Sequence, residues 1–214
     1  MTLPSTTPAS ITTVLFDCDG VLVDSTEASE EAWTTWAHHY GLSPAAVLAG
    51  IHGRRSVETV ADHLPEEQRA EATARIDGLE VATADRTRPI PGAAALLRSI
   101  PPTSYAVVTS APRELCRARL AAAGVPAPPV LVTSEDVMRG KPAPDCYLLG
   151  AARMGVAPAA CVVVEDSHNG IAAARAAGVG FVVGVGESAD ARDVDAVVPD
   201  LTAVGWRDGR LLLG

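Results

Sequence analysis

The sequence predicts an α/β protein, a doubly wound parallel sheet with a small all-helical domain inserted after its first strand. Three observations carry this. Six short runs rich in Val, Ile and Leu are nearly continuous in apolar residues, as strands buried on both faces must be. Ala-rich stretches of helical character separate most of those runs, and strand–helix alternation closes into an open parallel sheet. One stretch, residues 27–88, breaks the rhythm: it holds no Val/Ile run of strand type and reads as helix.

In chain order, "ITTVLF" (11–16) is the first strand and runs straight into "DCDGVLVDS" (17–25), where Gly20 lets the chain turn sharply. Helical patterns follow in "TEASEEAWTTWAHHYG" (26–41), "SPAAVLAG" (43–50), "SVETVADHL" (56–64) and "PEEQRAEATARIDGLEVATAD" (65–85). Trp33, Trp36 and Tyr40 fall at helical spacing and are expected to pack on one face. The segment ends at "RPIPG" (88–92). The expected division is therefore an α/β core of residues 1–26 and 89–214, with a helical cap of residues 27–88.

The core resumes with the helix "PGAAALLRSI" (91–100), the strand "SYAVVTS" (104–110) and the helix "RELCRARLAAAG" (113–124). Then come the strand "PVLVTS" (129–134), the helix "PDCYLLGAARMG" (144–155) and the strand "CVVVED" (161–166). The helix "NGIAAARAAG" (169–178) and the strands "GFVVGV" (180–185) and "DAVVP" (195–199) complete the series. Several of these helices stop at Gly, the usual C-terminal punctuation. No internal repeat or low-complexity tract interrupts them.

Composition excludes some functions. The chain of 214 residues can bury one sizeable core plus a small second unit. A net charge of −9 argues against nucleic acid as a partner. The longest apolar runs are too short to cross a bilayer, and the N-terminal "MTLPSTTPAS" lacks the charged and apolar regions of a secretory leader. Cys18, Cys116, Cys146 and Cys161 form no C-x-x-C pair and read as small buried hydrophobes in a reducing compartment. A cytoplasmic monomer with a mobile cap is expected, with no membrane partner.

The 17 basic residues include a single lysine, Lys141; the others are Arg. A chain that otherwise uses Arg for positive charge has reason to place Lys there.

Ligands of open α/β sheets bind beyond the carboxyl ends of the strands. Asp17 and Asp19 follow the first strand, and Thr109 and Ser110 the second. Lys141 follows the third after a loop, and Glu165 and Asp166 end the fourth. These are the groups phosphoryl transfer needs. A phosphate monoester is dianionic, so an anionic nucleophile approaches it only when cations neutralise both. Mg²⁺ takes oxygen ligands and keeps waters, so Asp17, Asp166 and Glu165 offer enough carboxylates. A lysine ammonium and a Thr hydroxyl hold the remaining phosphoryl oxygens. Extended alternation sends Asp17 and Asp19 the same way and Cys18 the other. One of the two aspartates then serves as nucleophile. The other, its side chain off the metal, protonates the leaving oxygen and later activates water.

"FDCDGVLVDS", the run ending "VVTS", "RGKPAPDCYLLGAARMG" and "VVVEDSHNGIAAARAAG" together resemble the four motifs of the haloacid dehalogenase superfamily, over residues 11–185. The resemblance implies Asp17 as nucleophile and Asp19 as general acid/base. It implies that the Asp19 carbonyl and Asp166 ligate Mg²⁺, with Glu165 a further ligand or an orienter of the site. It also implies that Thr109, Ser110 and Lys141 hold the phosphoryl group. The inserted helices resemble the cap of the β-phosphoglucomutase-like branch.

Within that family, halide-removing members lack the second aspartate, and phosphonate-cleaving members need a cap lysine that is absent here. Mutases carry a histidine ten residues after the second aspartate, where this chain has Ser29, and a Lys-Gly-x-x-Arg cap loop. Here the loop is His52-Gly53-Arg54-Arg55-Ser56, which, with "VTSEDVMRGKPAPDCYLLGA", resembles the glycerol-phosphate and 2-deoxyglucose-6-phosphate phosphatases. His52, Arg54 and Arg55 would place cations over a dianion, with Gly53 allowing close approach; the same arginines can instead pair with Glu58 or Asp62. Arg113 and His168 lie near the site, and His38 and His39 read as structural or exposed. The expectation is a Mg²⁺-dependent phosphatase acting on small phosphorylated sugars or polyols. A phosphosugar mutase and a non-catalytic phosphate-binding regulatory domain are the alternatives.

Overall fold

The computed structural model describes residues 5–186 and 192–214. Residues 1–4, part of the N-terminal tract considered above for a leader, lie outside the described residues. The chain runs through β1 (Ser5–Thr6), β2 (Thr13–Phe16), β3 (Val23–Asp24), α1 (Thr26–His39), α2 (Pro44–Leu48), α3 (Ser56–His63), α4 (Glu66–Ala82) and β4 (Arg88–Pro89). It continues through α5 (Ala93–Ser99), β5 (Tyr105–Val108), α6 (Arg113–Ala122), β6 (Leu131–Val132), α7 (Asp145–Arg153) and β7 (Cys161–Glu165). It ends with α8 (His168–Ala176), β8 (Phe181–Val185), β9 (Ala196–Val198), β10 (Val204–Arg207) and β11 (Arg210–Leu213).

All six strand runs join one sheet, in the order β6-β5-β2-β7-β8-β9, and every adjacent pair is parallel. Residues of β2, β5 and β7 are buried throughout, so both faces of the sheet are covered. Alternate residues feed two cores. Val14, Phe16, Val107, Val162 and Val164 pack on one side; Leu15, Ala106, Val108 and Val163 pack on the other. The strand order reverses beside β2, which places its carboxyl end at a switch point where α/β proteins bind ligands.

Between Thr26 and Ala82 the chain is helical, with its own apolar cluster of Trp33, Trp36, Val47, Val60, Ala72 and Ile76. Trp36 donates its indole N–H to the Ala72 carbonyl at 2.9 Å, tying α1 to α4. The two-stranded ribbon β3–β4 closes the ends of this segment, pairing Asp24 with Arg88. A second small sheet, β1-β11-β10, edges the core. Among the described residues, no helix is long and apolar enough to cross a membrane.

Candidate active site

Sheet register assembles the site. Phe16 sits opposite Val107 of β5 and Val164 of β7. The polar residues that follow these strands, Asp17, Thr109 and Asp166, therefore emerge at one edge and line one cavity. Gly20 turns the chain there at φ 80°, and a β-carbon on it would fall 2.0 Å from Asp166 Oδ2, so only glycine fits. Cys18 points away, fully buried, its Sγ 3.6 Å from that of Cys116.

Lys141 lies under the cavity, only 2 % exposed. Its ammonium donates to Asp17 Oδ1 at 2.8 Å and to Glu165 Oε1 at 2.6 Å. Glu165 is saturated. Oε1 also accepts from the Tyr147 hydroxyl at 3.1 Å. Oε2 accepts the Asp166 and Ser167 amides, both at 2.8 Å, and the Ser167 hydroxyl at 3.0 Å. A β-carbon at Gly170 would meet Glu165 Oε1 at 1.5 Å, so the start of α8 approaches this carboxylate as only glycine can.

These contacts set the protonation of the cluster. Burial pushes the Asp17 carboxyl up to about 7; Lys141 opposes that and Glu165 adds to it. Burial, then the charges of Glu165 and Asp17, pushes Asp166 up to about 9. Glu165 is buried too, yet Lys141 and the Ser167 donors outweigh its desolvation and hold it below the ordinary carboxylate range.

Three carboxylates thus crowd one ammonium, and burial above all raises the pKa of two of them, Asp17 and Asp166. Asp17, Glu165 and Asp166 each offer an oxygen within 4.8 Å of the others. This all-oxygen, electron-rich cradle fits Mg²⁺, with Asp17 and Asp166 the ligands whose oxygens are least committed. A pH signature follows. In the metal-free protein, Asp17 and Asp166 hold protons that the unfolded chain releases above about pH 4, so stability falls as pH rises toward about 9. A divalent cation bound there would displace those protons, so its affinity would rise over the same range. The increase in unfolding midpoint on adding Mg²⁺ should therefore be larger near pH 8 than near pH 6, and Asp166→Asn should remove it. A midpoint indifferent to Mg²⁺ at both pH values would contradict this assignment.

Asp19 lines the same cavity. Its Oδ1 accepts from the Ser25 hydroxyl at 2.6 Å and from Arg119 Nη1 at 2.9 Å. Thr109 is buried beside it, its Oγ1 accepting the Ala111 amide at 3.0 Å. Ser110 donates to the Gly53 carbonyl at 3.0 Å, so it touches the helical segment directly.

Three residues of the loop 52–55, His52, Gly53 and Arg54, line the cavity. His52 is exposed and lines the cavity; its carbonyl accepts from Asn169 Nδ2 at 3.3 Å. Gly53 has φ 71°, and a β-carbon there would fall 2.5 Å from Ser167 Oγ. Arg54 lines the cavity while pairing with Asp62 at 2.7 Å. Arg55 departs from the expectation that it faces substrate. It pairs with Glu58 at 2.6 Å and donates to the Val137 and Met138 carbonyls at 3.1 Å each. Glu58 in turn accepts the Gly140 amide at 3.1 Å, so this pair grips the loop leading to Lys141. Arg113 pairs with Asp136 at 2.7 Å and does not line the cavity.

Sequence reasoning missed Arg119 and Glu80, which line the cavity from α6 and α4. Arg119 shares its buried helix face with Leu115, Cys116 and Leu120, and Glu80 follows Ala72 and Ile76 at four-residue spacing. A charge on an apolar stripe was the available signal.

The model of one protein family, described as haloacid dehalogenase-like hydrolase, matches residues 11–178. Hexitol phosphatase A of Escherichia coli is 42% identical over 198 residues, 89% of this chain and 91% of that protein. 2-Deoxyglucose-6-phosphate phosphatase 1 of Saccharomyces cerevisiae is 31% identical, over 89% of this chain and 88% of its own length. Among solved structures, a β-phosphoglucomutase from Clostridium difficile superposes with a TM-score of 0.79 at 22% identity, covering 89% of this chain and 92% of its own. That last likeness speaks to the fold.

Proposed function

We propose that this chain, which belongs to the haloacid dehalogenase-like hydrolase family, is a Mg²⁺-dependent phosphatase of small phosphorylated sugars or polyols working through an aspartyl-phosphate. The observation that carries the proposal is the convergence of Asp17, Lys141 and Asp166 at one strand edge, with Asp19 on the same cavity. Two relatives that share about nine-tenths of the chain are, by name, a hexitol phosphatase and a 2-deoxyglucose-6-phosphate phosphatase.

In this reading Asp17 attacks phosphorus, and the P–O bond to the leaving group breaks as the aspartyl-phosphate forms. Asp19 gives its proton to the departing alkoxide. It then takes a proton from the water that attacks the phosphoryl group, so that phosphate leaves and Asp17 returns as a carboxylate. Lys141 keeps Asp17 oriented and, with Thr109 and Ser110, holds the phosphoryl oxygens. Asp17, the Asp19 carbonyl and Asp166 would hold Mg²⁺, which when bound neutralises the charge of the phosphate and its nucleophile. Glu165, with both oxygens occupied, orients Lys141 and the Asp166 turn rather than serving as a ligand. Residues 27–88 act as a cap over the core of residues 1–26 and 89–214. His52, Gly53 and Arg54 contribute to substrate binding from the cap. The enzyme works as a monomer on a small phosphorylated metabolite. Four free, buried cysteines suit a cytoplasmic location.

Phosphate release from glycerol phosphates, hexitol and hexose phosphates, and 2-deoxyglucose 6-phosphate, with and without Mg²⁺, tests the proposal. Metal-dependent release is expected. Interconversion of hexose 1- and 6-phosphates with little free phosphate would favour the mutase, although Ser29 occupies the place of the mutase histidine and bonds to Glu80 at 2.7 Å. Phosphate binding without turnover of any ester would favour the regulatory domain.

A further inference from the structure

Beyond Asp19 the cavity wall carries a linked set of polar side chains that the hydrolytic chemistry does not use: Arg119 of α6, Glu80 of α4 and Ser29 of α1. Arg119 is 4% exposed and Glu80 7%, so both are charged groups taken out of water. Arg119 Nη1 donates to Asp19 and Nη2 donates to Glu80 Oε1, each at 2.9 Å. Ser29 donates its hydroxyl to the same Glu80 oxygen at 2.7 Å. The chain Asp19–Arg119–Glu80–Ser29 thus leads outward from the residue that protonates the leaving oxygen.

Two polar atoms of this chain stay unpaired. Arg119 Nε is buried without a partner, and Glu80 Oε2 accepts no hydrogen bond among the described residues. Proteins rarely leave buried polar groups unpaired, because their lost hydration is then uncompensated. That cost falls on Arg119 Nε alone; Glu80 Oε2 is not sealed from water, so Glu80, though more than nine-tenths buried, presents an open acceptor on the wall of the reaction cavity. Its charge has a consequence too. With Asp19 protonated as general acid, Arg119 balances Glu80, and an ionised Glu80 keeps one oxygen, Oε2, free of the guanidinium. The other arginine of the cavity, Arg54, already pairs with Asp62.

We propose that Glu80, oriented by Arg119 and Ser29, selects the leaving group: it accepts from a hydroxyl of a neutral leaving group and rejects one that carries a carboxylate or a second phosphate. A hydroxyl has a proton to give to Oε2. A carboxylate has none and meets like charge, so the same group supplies both the attraction and the repulsion that specificity requires. This inference rests on the phosphatase reading and adds the chemical class of the leaving group to it.

Glycerol 1-phosphate and 3-phosphoglycerate form a matched pair, sharing a three-carbon skeleton that ends in a hydroxymethyl group or a carboxylate. With Mg²⁺ present, the native enzyme should favour the first in kcat/KM by about 100-fold or more, as a site built to bond a hydroxyl does. Glu80→Gln, which keeps the size but removes the charge, should lower that ratio by about tenfold, chiefly through opposite movements of the two KM values. Ser29→Ala, a milder change that leaves the buried ion pair intact, should lower it in the same direction by about threefold.

A native ratio near one would overturn the inference. So would variants that slow both esters by one common factor, because a merely structural role has no reason to separate them. p-Nitrophenyl phosphate, whose leaving group lacks an alcohol hydroxyl, isolates the chemistry. Its hydrolysis without discrimination between the matched esters would sink the selectivity claim alone. No phosphate release by the native enzyme from p-nitrophenyl phosphate or from any sugar or polyol ester would remove the phosphatase reading and this inference together.

Discussion

Asp17→Asn should abolish phosphate release, lowering kcat by about 10⁴-fold or more, while the chain stays folded. An amide matches the carboxylate in shape, and its oxygen can still accept the 2.8 Å bond from Lys141. It cannot supply the anionic oxygen that attacks phosphorus. Stability should hold or rise. Burial and the neighbouring charges lift the Asp17 carboxyl to about 7, so removing its charge relieves a crowded cluster rather than breaking a favourable pair. Activity assays beside thermal unfolding check both halves. A variant that turns over at a rate near native would remove Asp17 from the nucleophile's role.

Lys141→Met should be damaging in a different way, costing both activity and stability. The lysine is almost fully buried between Asp17 and Glu165, and both carboxylates raise its pKa against the opposing effect of burial. Removing it leaves Glu165 charged and fully buried without its counter-ion. Breaking a buried pair by removing one partner costs about 3–5 kcal/mol, which lowers the unfolding midpoint by roughly 6–20 °C in a domain of this size. The loss should shrink in acid, where the carboxyls take up protons, and Mg²⁺ should recover part of it by supplying the missing charge. A variant that melts like the native protein near neutral pH would show that Lys141 is not the cluster's main counter-charge.

The six strands were legible because a strand buried on both faces leaves little room for polar residues. "VLF", "YAVV" and "CVVVE" have that character, and all lie in the central strands. The ribbon β3–β4 was not legible. Two residues per strand, one of them Pro89, make no pattern, and its pairing depends on the helical segment bringing Asp24 to Arg88. The C-terminal hairpin did leave a signal. Asp208 and Gly209 both have positive φ, and an Asp-Gly turn between β-formers marks such a hairpin.

For the site, strand ends located Asp17, Thr109 and Asp166, because the termini of neighbouring parallel strands gather where β2 ends. Side-chain direction in a loop has no such rule. "HGRRS" gave no means to tell that Arg54 would face the cavity while Arg55 turned toward the Val137 and Met138 carbonyls. Glu80 and Arg119 come together across 39 residues of sequence, a pairing only tertiary structure makes. What the sequence does carry is the anomaly of a charge in line with Ile76 or with Leu115 and Cys116, which marks a buried ion without naming its partner.

In the proposed mechanism Asp17 carries the phosphoryl group between substrate and water. Rapid acid quench during turnover of a phosphate ester with Mg²⁺, followed by peptide mass analysis, tests it most directly. One phosphoryl group on the peptide that contains Asp17, present during turnover and absent once substrate is exhausted, is the predicted result. Turnover with no phosphorylated protein at any quench time, or with the phosphoryl group on another residue such as His168, would contradict it.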